Sequence, residues 1–533
     1  MKKLRFNITA VVLSAIALTF SACAEKDAAE ENKTDKNNGI TTIFVSGNDE
    51  TASAKTRTSL DYAAEKWFWE AGDKIYVKDR DGNWQVSNAV NAHTENFTFK
   101  LPGMYSPTGT MVYYLGKNGT NDQITIPTTQ NQTKPNAPEE LANNGECGVA
   151  EAVPQWKEDG LAFKFKLKHP ETVLVFQPYT INTVLQNKCK LSKIEVISDN
   201  DIAGTFTLSA LGLIGTGSKT ITMNTKGGNY GSSYYYGFPL TNTTASLATN
   251  GVYVAIKPGT HALKVRYWVY DVETGLEAYI AVNYPSFNYD ANGFYDMTAN
   301  LTMPNYSPPK YYFWDAQADS WAGYENEQVF LYDSPEFDHF PIKNDANGRW
   351  YHAGFGVVAN KSCKDAPTSN AMYWYASHGD AHWDVPAWSL GGNMFGGGFW
   401  IKKKNKIIQD EQITPWIFEN RYPDTGAAHT LIDTRTTQFT NGWPLAIRPN
   451  KAPVPNTTDY FFLPAFGNYY SPSNNDKGRL FGMIGRYAAY WSSNASPMSI
   501  IGDETAMIFI AEDMHVYVTH YQKNYACPVS TFE

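Results

Sequence analysis

AFKFKLK, at residues 162–168, is the stretch that decides the fold class of this chain. Successive side chains of a β-strand point to opposite sides, so Phe163, Phe165 and Leu167 share one face. The lysines between them share the other face. One apolar face and one charged face predict a strand that is half-buried in an antiparallel sheet.

The same pattern continues on both sides of this stretch. Residues 172–176 form a continuous apolar run, residues 191–198 alternate, and residues 251–256 and 262–270 read as further strands separated by the turn sequence KPGT. Many short strands with turns at this spacing are typical of β-sandwiches. We therefore predict a mainly β protein with one sandwich at residues 39–175 and a second at residues 176–303.

The N-terminus predicts export. Residues 1–5 are basic, residues 8–20 are mostly apolar, and the small pair Ser21-Ala22 precedes Cys23. This is the pattern of a secretory signal peptide, here residues 1–22, and its apolar run is shorter than the roughly 20 residues that cross a bilayer. The cysteine after the small pair resembles a bacterial lipobox, which implies lipidation of Cys23. The alternative is an ordinary signal peptide followed by an incidental cysteine.

Residues 23–38 are rich in charge and contain no large apolar side chain. Such a segment cannot bury enough surface to offset its ordering entropy, so we predict a flexible tether. Its acidic residues resemble the export signal of Bacteroides-type lipoproteins. That resemblance implies a surface-exposed position on the outer membrane, held by the N-terminal lipid.

Composition narrows the function. The 533 residues carry a net charge of −9, with 14% aromatic and 18% charged residues, and no basic stripe suited to nucleic acid. No nucleophile elbow, zinc-protease motif or phosphate-binding glycine loop occurs. We therefore expect that the protein is not an enzyme, holds no cofactor or resident metal ion, and binds no nucleic acid.

Four cysteines remain once Cys23 is set aside. In an oxidising compartment they could form two bridges, and pairing within domains would join Cys147 to Cys189 and Cys363 to Cys527. Three connectivities are open to four cysteines, and buried free thiols are the alternative.

Several short elements between residues 39 and 303 resemble fimbrillin-like proteins of Bacteroides-type bacteria. They are KTRTS (55–59), GDKIYV (72–77), FKLKHP (165–170), VAIKPGT (254–260) and GFY (293–295). The resemblance implies two transthyretin-like β-sandwich domains of a pilus subunit or adhesin. It also implies polymerisation in which an arginine-specific protease removes an N-terminal strand and a neighbour donates a strand. Arg57 is the candidate cleavage site, and an ordinary exposed arginine is the alternative.

A third unit, residues 304–533, follows a proline-containing linker and is rich in Trp, Gly and Asn. Its LPA (463–465) and YWSS (490–493) motifs resemble the "major paralogous" domain of secreted proteins from this bacterial group, which implies a C-type-lectin-like α/β fold. The calcium-binding tripeptides of sugar-binding lectins are absent. Sugar stacking on an exposed aromatic residue stays open, with Trp383 and Trp491 expected in the core. The candidates are Trp314, Trp321, Trp374, Trp383, Trp388, Trp400, Trp443 and Trp491.

Residues 378–384 read HGDAHWD and place four metal-ligand types two residues apart. On a strand these side chains would share one face, which suits a metal ion. The glycine beside Asp380 favours a turn, and we expect a hydrogen-bonded loop.

Together these features predict a cell-surface fimbrillin-like adhesin. About 230 residues follow the two sandwiches, so the chain suits an accessory or tip position better than the repeating shaft. The expected partners are other fimbrial subunits and a glycan or protein ligand of the C-terminal domain. The alternative is a lipoprotein that captures glycans for nutrient uptake.

Overall fold

The computed structural model describes most of the chain. The described residues are 39–47, 59–61, 66–158, 160–332, 334–343, 346–423, 432–437, 448–450, 453–454, 456–471, 477–497 and 504–533. The signal peptide, the tether with Cys23, and Arg57 lie outside them. The predicted mainly β fold is confirmed. Within the described ranges, no helix combines the length and apolar character needed to cross a bilayer.

The first unit contains two four-stranded sheets, with strand orders β12-β13-β1-β6 and β11-β7-β4-β5. Its strands are β1 (Thr41–Ser46), β2 (Ser59–Asp61), β3 (Lys66–Phe68), β4 (Ile75–Lys78), β5 (Trp84–Val86), β6 (Thr98–Pro102), β7 (Met111–Tyr114), β8 (Gly119–Thr120), β9 (Gln123–Ile126), β10 (Thr129–Asn131), β11 (Gly148–Glu151), β12 (Val153–Lys157) and β13 (Gly160–Phe165). Phe163, Phe165 and Leu167 are buried as predicted, in a core shared with Phe44 and Trp69. A 3-10 helix, Pro138–Asn143, precedes β11.

The second unit is built around a large sheet with the order β10-β18-β15-β21-β22, with β19 paired to β15. Two further sheets have the orders β20-β14-β23 and β17-β16-β9-β8. The strands and helices are β14 (Thr172–Tyr179), α1 (Thr183–Lys188), β15 (Cys189–Ser198), β16 (Gly204–Ser209), β17 (Gly212–Ile214), β18 (Thr220–Asn224), β19 (Phe238–Pro239), α2 (Leu247–Asn250), β20 (Val252–Ile256), β21 (Gly259–Asp271), β22 (Glu277–Tyr289) and β23 (Phe294–Asn300).

The boundary between these units differs from the predicted one at residues 175/176. That position lies inside β14, whose residues pair with β20 and β23. Strands β8 to β10 precede the boundary in sequence, but β9 pairs with β16 and β10 pairs with β18. Their apolar residues Ile124 and Ile126 are buried in the second core. The first unit therefore contributes residues 119–131 to the second.

The third unit mixes short sheets with short helices. Its elements are β24 (Tyr311–Tyr312), α3 (Ser369–His378), β25 (His382–Asp384), β26 (Trp388–Leu390), β27 (Asn393–Phe395), β28 (Gly398–Lys402), α4 (Lys404–Asp410), α5 (Pro415–Asn420), β29 (Tyr460–Pro464), β30 (Asn468–Tyr470), β31 (Arg479–Gly482), β32 (Tyr487–Ala495), β33 (Thr505–Glu512), β34 (His515–Gln522) and β35 (Cys527–Pro528). Short 3-10 helices occupy Glu325–Glu327 and Thr457–Asp459.

Helix α3 packs beside the sheet β32-β33-β34, and Trp374 shares a core with Phe509 and Val518. The YWSS motif lies in β32, where its Trp491 is fully buried and donates through Nε1 to the carbonyl of Tyr312 at 2.8 Å. Trp491 is therefore a core residue, as predicted. The C-type-lectin-like assignment of this unit stays a prediction.

The hairpin β26–β27 joins the second and third units. Ala387 and Met394 belong to the third unit in sequence but are buried in the core of the second. The turn between β21 and β22 lies against this hairpin, and a cavity opens beside that contact.

Candidate functional site

A cleft of about 670 Å³ lies where the β21–β22 turn meets the C-terminal unit. A neighbouring cavity of about 300 Å³ shares Leu276, Tyr332, Met483 and Arg486 with it, so the two form one groove around Leu276. We call this groove the junction cleft. Grooves between domains are common binding sites because two units can supply different walls.

Asp271 at the end of β21 positions one wall of the junction cleft. Its fully buried carboxylate accepts hydrogen bonds from the backbone N–H groups of Glu273 and Thr274, at 2.8 and 3.1 Å, and so shapes the turn. The same carboxylate accepts the N–H of Met394 in the hairpin at 3.0 Å. One side chain therefore fixes both the turn and its contact with the third unit.

Tyr279 on β22 supplies a second link between the units. Its backbone N–H donates to the carbonyl of Val385 at 3.1 Å, and its carbonyl accepts from the N–H of Ala387 at 2.8 Å. Its phenol donates to the Asp384 carboxylate, which also accepts from Trp400 Nε1 at 3.0 Å. The strand that carries Trp383 is therefore hydrogen-bonded directly to the second unit.

Two glycines allow the walls to come this close. A Cβ atom on Gly396 would lie 2.5 Å from the Cβ of Ala278, and one on Gly485 would lie 2.7 Å from Cδ1 of Leu276. Both distances are far below a normal carbon–carbon contact of about 3.5–4.0 Å. Glycine at these two positions is what lets the third unit pack against the β21–β22 turn.

The walls of the cleft present aromatic rings to solvent. Tyr332 is 56% exposed, and Trp383 is half-buried and packs on Phe399 at a centroid distance of 4.9 Å. A packed indole with one accessible side is rigid and presents a flat apolar surface. Such surfaces suit the apolar face of a sugar ring or of a peptide side chain.

Charged groups surround these rings. Glu277, Glu512 and Asp513 contribute carboxylates, and Arg486 contributes an exposed guanidinium. These groups combine hydrogen-bond acceptors with a planar donor, as needed to bind vicinal hydroxyls. In the described part of the chain, no three His, Cys, Asp or Glu residues form a group that could hold a metal ion.

Glu277 remains ionised in this setting. Burial acts to raise its pKa, but hydrogen bonds from Lys193 and Ser192, together with the charges of Lys193 and Lys226, outweigh burial and lower the pKa. Its two oxygens lie 2.6 Å from Ser192 Oγ and 2.9 Å from Lys193 Nζ. The carboxylate therefore connects the cleft to the lysines on the outer face of the large sheet.

The four cysteines are present as buried free thiols, so neither candidate bridge exists in the structure. Cys147 Sγ donates to Glu171 Oε2 at 3.2 Å, and Cys363 Sγ accepts the N–H of Asp315 at 3.2 Å. Burial is the main cause that raises the pKa of all four thiols, which disfavours their reactive thiolate form.

Residues 378–384 run from the last residue of α3 through residues 379–381 into β25, so the expected loop is limited to residues 379–381. The four polar side chains have separate partners. His378 Nδ1 lies 3.0 Å from Glu411, whereas His382 Nε2 lies 3.3 Å from Asp380. Asp384 is held by Tyr279 and Trp400. Asp380 has a φ of +44°, which ends the regular backbone after α3 and turns its carboxylate towards the Tyr460 hydroxyl at 2.7 Å.

The tryptophans separate clearly. Buried are Trp314, Trp321, Trp374, Trp388 and Trp491. Trp383, expected in the core, is only half-buried, as is Trp400, and Trp443 lies outside the described residues.

Sequence reasoning missed Tyr332 and Arg486 because they come from separate loops that share no local motif. Among the described tryptophans, Trp156 on β12 in the first unit is the most exposed, at 74%.

Strand β1 has a distinctive position in the first unit. It lies between β6 and β13, antiparallel to the former and parallel to the latter. Phe44 is fully buried and stacks on Phe163 at 4.7 Å, with Tyr105 at 5.0 Å. Arg57, the candidate cleavage site, follows β1 in sequence and lies outside the described residues.

No family model and no curated protein matches the chain. Among solved structures, a candidate cell adhesion protein from Bacteroides ovatus is 12% identical, with a TM-score of 0.29, over 49% of this chain and 95% of its own. A fimbrial protein from the same species is 11% identical, with a TM-score of 0.22, over 91% and 99%. A fimbrial assembly protein from Parabacteroides distasonis is 10% identical, with a TM-score of 0.20, over 45% and 98%. At these scores the superpositions establish no shared fold, and the proposals below depend on this chain's own residues.

Proposed function

We propose that this protein is a cell-surface adhesin of fimbrial type, exported as a lipoprotein through Cys23 and placed as an accessory or tip subunit of a fibre. In this proposal the N-terminal lipid holds the precursor at the outer membrane. The β-sandwich units connect to neighbouring subunits, and the junction cleft binds a glycan or protein ligand. The protein acts by binding and not by catalysis.

The position of β1 carries the proposal. A strand that lies between β6 and β13 leaves two unpaired strand edges and an apolar groove when it is removed. Phe44 would vacate a buried site lined by aromatic rings. A strand donated by a neighbour would restore both the hydrogen bonds and the burial. Cleavage at Arg57, just after β1 in sequence, would separate this strand from the rest of the chain.

The packing of residues 527–533 argues against their use as a donated strand. β35 pairs with β24, and the Phe532 ring packs on Tyr375, Phe509 and Tyr490. The carbonyl of Glu533 accepts the N–H of Lys404 at 2.8 Å. Residues packed in this way are not free to enter the groove of another subunit. The chain is therefore suited to accept a strand and not to donate these residues.

Cleavage tests the fibre role directly. We expect an arginine-specific protease to cut the purified chain after Arg57, and the cut chain to form larger assemblies on size exclusion. Arg57→Ala should abolish both effects, whereas Arg80→Ala, which removes an exposed arginine in the turn after β4, should abolish neither. Cutting elsewhere, or a cut chain that stays monomeric, would refute this part of the proposal.

The alternative, a monomeric lipoprotein that captures glycans, is supported by the same junction cleft. Probing surface fibres for this chain distinguishes the two, because a glycan-capturing lipoprotein would occur only as a free monomer. A glycan array then tests the cleft itself. Trp383→Ala should remove the binding that the cleft provides, and Trp416→Ala, at a 57% exposed tryptophan on α5, should leave that binding intact.

A further inference from the structure

Residues 227–237, between β18 and β19, read GGNYGSSYYYG and consist only of Gly, Asn, Ser and Tyr. We call this segment the tyrosine loop. Tyrosine supplies a large, stiff contact surface with a polar end, and the small residues let the backbone expose it. The same composition is typical of recognition loops. The tyrosine loop does not line the junction cleft; it connects β18 and β19, which both pair with β15 in the large sheet of the second unit.

The loop is held in one conformation by its own hydrogen bonds. The N–H groups of Gly227 and Gly237 both donate to the carbonyl of Tyr234, at 2.8 and 3.0 Å, and Ser232 Oγ donates to the carbonyl of Gly227 at 2.8 Å. Tyr234 packs its ring on buried Phe238 at 5.5 Å. Because the loop is already ordered, binding would cost little conformational entropy.

Three tyrosines form a continuous aromatic surface on this base. Tyr230 is 82% exposed and meets Tyr235 edge to face at 5.3 Å, and Tyr235 meets Tyr236 at 4.8 Å. Tyr236 stacks on Tyr270 of β21 at 4.9 Å, with the rings 6° from parallel. The surface therefore extends from the loop onto the outer face of the sheet.

That face carries an excess of positive charge. Lys190 lies directly opposite Tyr270 in the β15–β21 register, and Tyr270 lies opposite Glu277 in the β21–β22 register. Lys193 and Lys226 both contact Glu277, at 2.9 and 3.1 Å, so two ammonium groups share one carboxylate, and Lys190 adds a third positive charge to the face. Lys226 also lies 5.7 Å from the centre of the Tyr270 ring. In a chain with a net charge of −9, such a patch attracts anions locally.

We propose that the tyrosine loop and the adjoining lysines form a binding site for an anionic saccharide, one that carries carboxylate or sulfate groups. Pyranose rings stack on the faces of Tyr230 and Tyr235. The phenol hydroxyls donate to ring oxygens and hydroxyls, and Lys226 and Lys190 receive the anionic substituent. Neutral glycans can stack on the tyrosine rings but carry no anionic group to pair with the lysines, so they bind less well.

Binding of the purified full-length chain to heparin, polygalacturonate and neutral dextran tests this site. We expect binding to heparin, polygalacturonate or both, weakening as salt rises, and no comparable binding to dextran. Heparin alone would identify sulfate as the recognised group, and polygalacturonate alone would identify carboxylate. Binding to neither anionic chain, or equal binding to dextran, would overturn the proposal.

Variants locate the site. The double change Tyr230→Ala with Tyr235→Ala should weaken anionic-glycan binding at least about tenfold, because it removes two stacking surfaces. Lys226→Gln should weaken binding and reduce its dependence on salt. The matched controls are Trp156→Ala, a 74% exposed aromatic residue of the first unit outside both proposed sites, and Lys219→Gln, an exposed lysine beyond the patch. If a control reduces binding as much as the loop variants do, the site lies elsewhere.

Discussion

The Tyr279 hydroxyl lies 2.9 Å from Oδ1 and 2.8 Å from Oδ2 of Asp384, so one phenol on β22 contacts both oxygens of a carboxylate 105 residues away. Burial first, and then the charge of Asp384, raise the pKa of this phenol and keep it a donor. A hydrogen bond to a charged acceptor inside a protein is stronger than one between neutral groups. This contact fixes the strand that carries Trp383 relative to the second unit.

We predict that Tyr279→Phe destabilises the protein by about 1–3 kcal/mol, the usual cost of losing a hydrogen bond to a charged group. Asp384 keeps its bonds from Trp400 and from the N–H of Val385, so the fold should survive. Hydrogen exchange should increase at the N–H groups of Val385 and Ala387, which lie where the two units meet. Tyr284→Phe is the matched control, since it breaks a bond to Tyr267 inside the second unit. Unchanged exchange at Val385 and Ala387 in the Tyr279 variant would contradict this prediction.

The role of β1 leads to a second prediction. Phe44→Ala should destabilise the first unit by about 3–5 kcal/mol, because it leaves a cavity among buried aromatic rings. Val45→Ala, one residue along on the half-buried face of the same strand, should cost about 1 kcal/mol. Denaturant unfolding measures both values. If β1 is displaced as proposed, the Phe44 variant should also be cut faster at Arg57 than the Val45 variant, and equal rates would argue against that coupling.

Local sequence patterns predicted which residues form strands better than they predicted which strands pair with each other. The alternation of residues 162–168 correctly identified Phe163 and Phe165 as core, since a half-buried strand has only one way to place its apolar face. The pattern could not reveal that β13 pairs in parallel with β1, some 115 residues earlier, about as readily as with its neighbour β12. Ile124 and Ile126 are buried in the second core, and nothing in their local sequence assigns them to it.

The two candidate sites, the tyrosine loop and the junction cleft, also differ in how much of each the sequence alone reveals. The tyrosine loop is contiguous in sequence, so its composition was visible before its geometry. The junction cleft is not contiguous, because Leu276, Tyr332, Trp383 and Arg486 come together only after the units pack. The glycine run at residues 396–398 contributes Gly396 to its wall, and Gly396 packs so closely on Ala278 that a Cβ atom would lie 2.5 Å from the Ala278 Cβ. Sequence reasoning could recognise such glycines as turns but could not tell which surfaces they bring together.

Glu146 leads to a prediction about pH. It is 1% exposed, and within the described residues neither of its carboxyl oxygens has a hydrogen-bond partner. Burial, followed by the charges of Glu171, Asp73 and Glu70, raises its pKa well above the ordinary 4.5. The folded state therefore keeps a proton that the unfolded chain loses above about pH 4.5, so the stability contribution of Glu146 is lost as pH rises.

Glu146→Gln removes this titration while keeping the shape of the side chain. We expect the stability of the variant, relative to the original protein, to increase above about pH 4.5 by at most about 1.4 kcal/mol per pH unit. Urea unfolding between pH 4 and pH 7 measures the difference. Glu139→Gln, on the exposed 3-10 helix nearby, should show no comparable change. Parallel stability curves for Glu146→Gln and the original protein would contradict the raised pKa.

Lys523 affects stability in the opposite direction from Glu146 as pH rises. Its buried ammonium group donates to the carbonyls of His352 and Gly354, at 2.9 and 2.6 Å, and lies 3.6 Å from Glu504. Burial lowers its pKa from 10.5 to about 8, although the charge of Glu504 opposes this. Between about pH 8 and pH 10.5 the unfolded chain binds more protons at this residue than the folded one, so stability from this residue rises with pH.

We predict that Lys523→Met removes this rise. At neutral pH the variant loses two hydrogen bonds to the carbonyls of half-buried residues, so it should be less stable by about 1–3 kcal/mol. Between pH 8 and pH 10 the free energy of unfolding of the original protein should increase relative to that of the variant. The reason is that only the original protein releases a proton at this site on folding. Tyrosines that titrate in this range are common to both chains and cancel in the difference. Denaturant unfolding at pH 7, 8, 9 and 10 gives the two curves, and a constant gap between them would show that the pKa of Lys523 is not lowered.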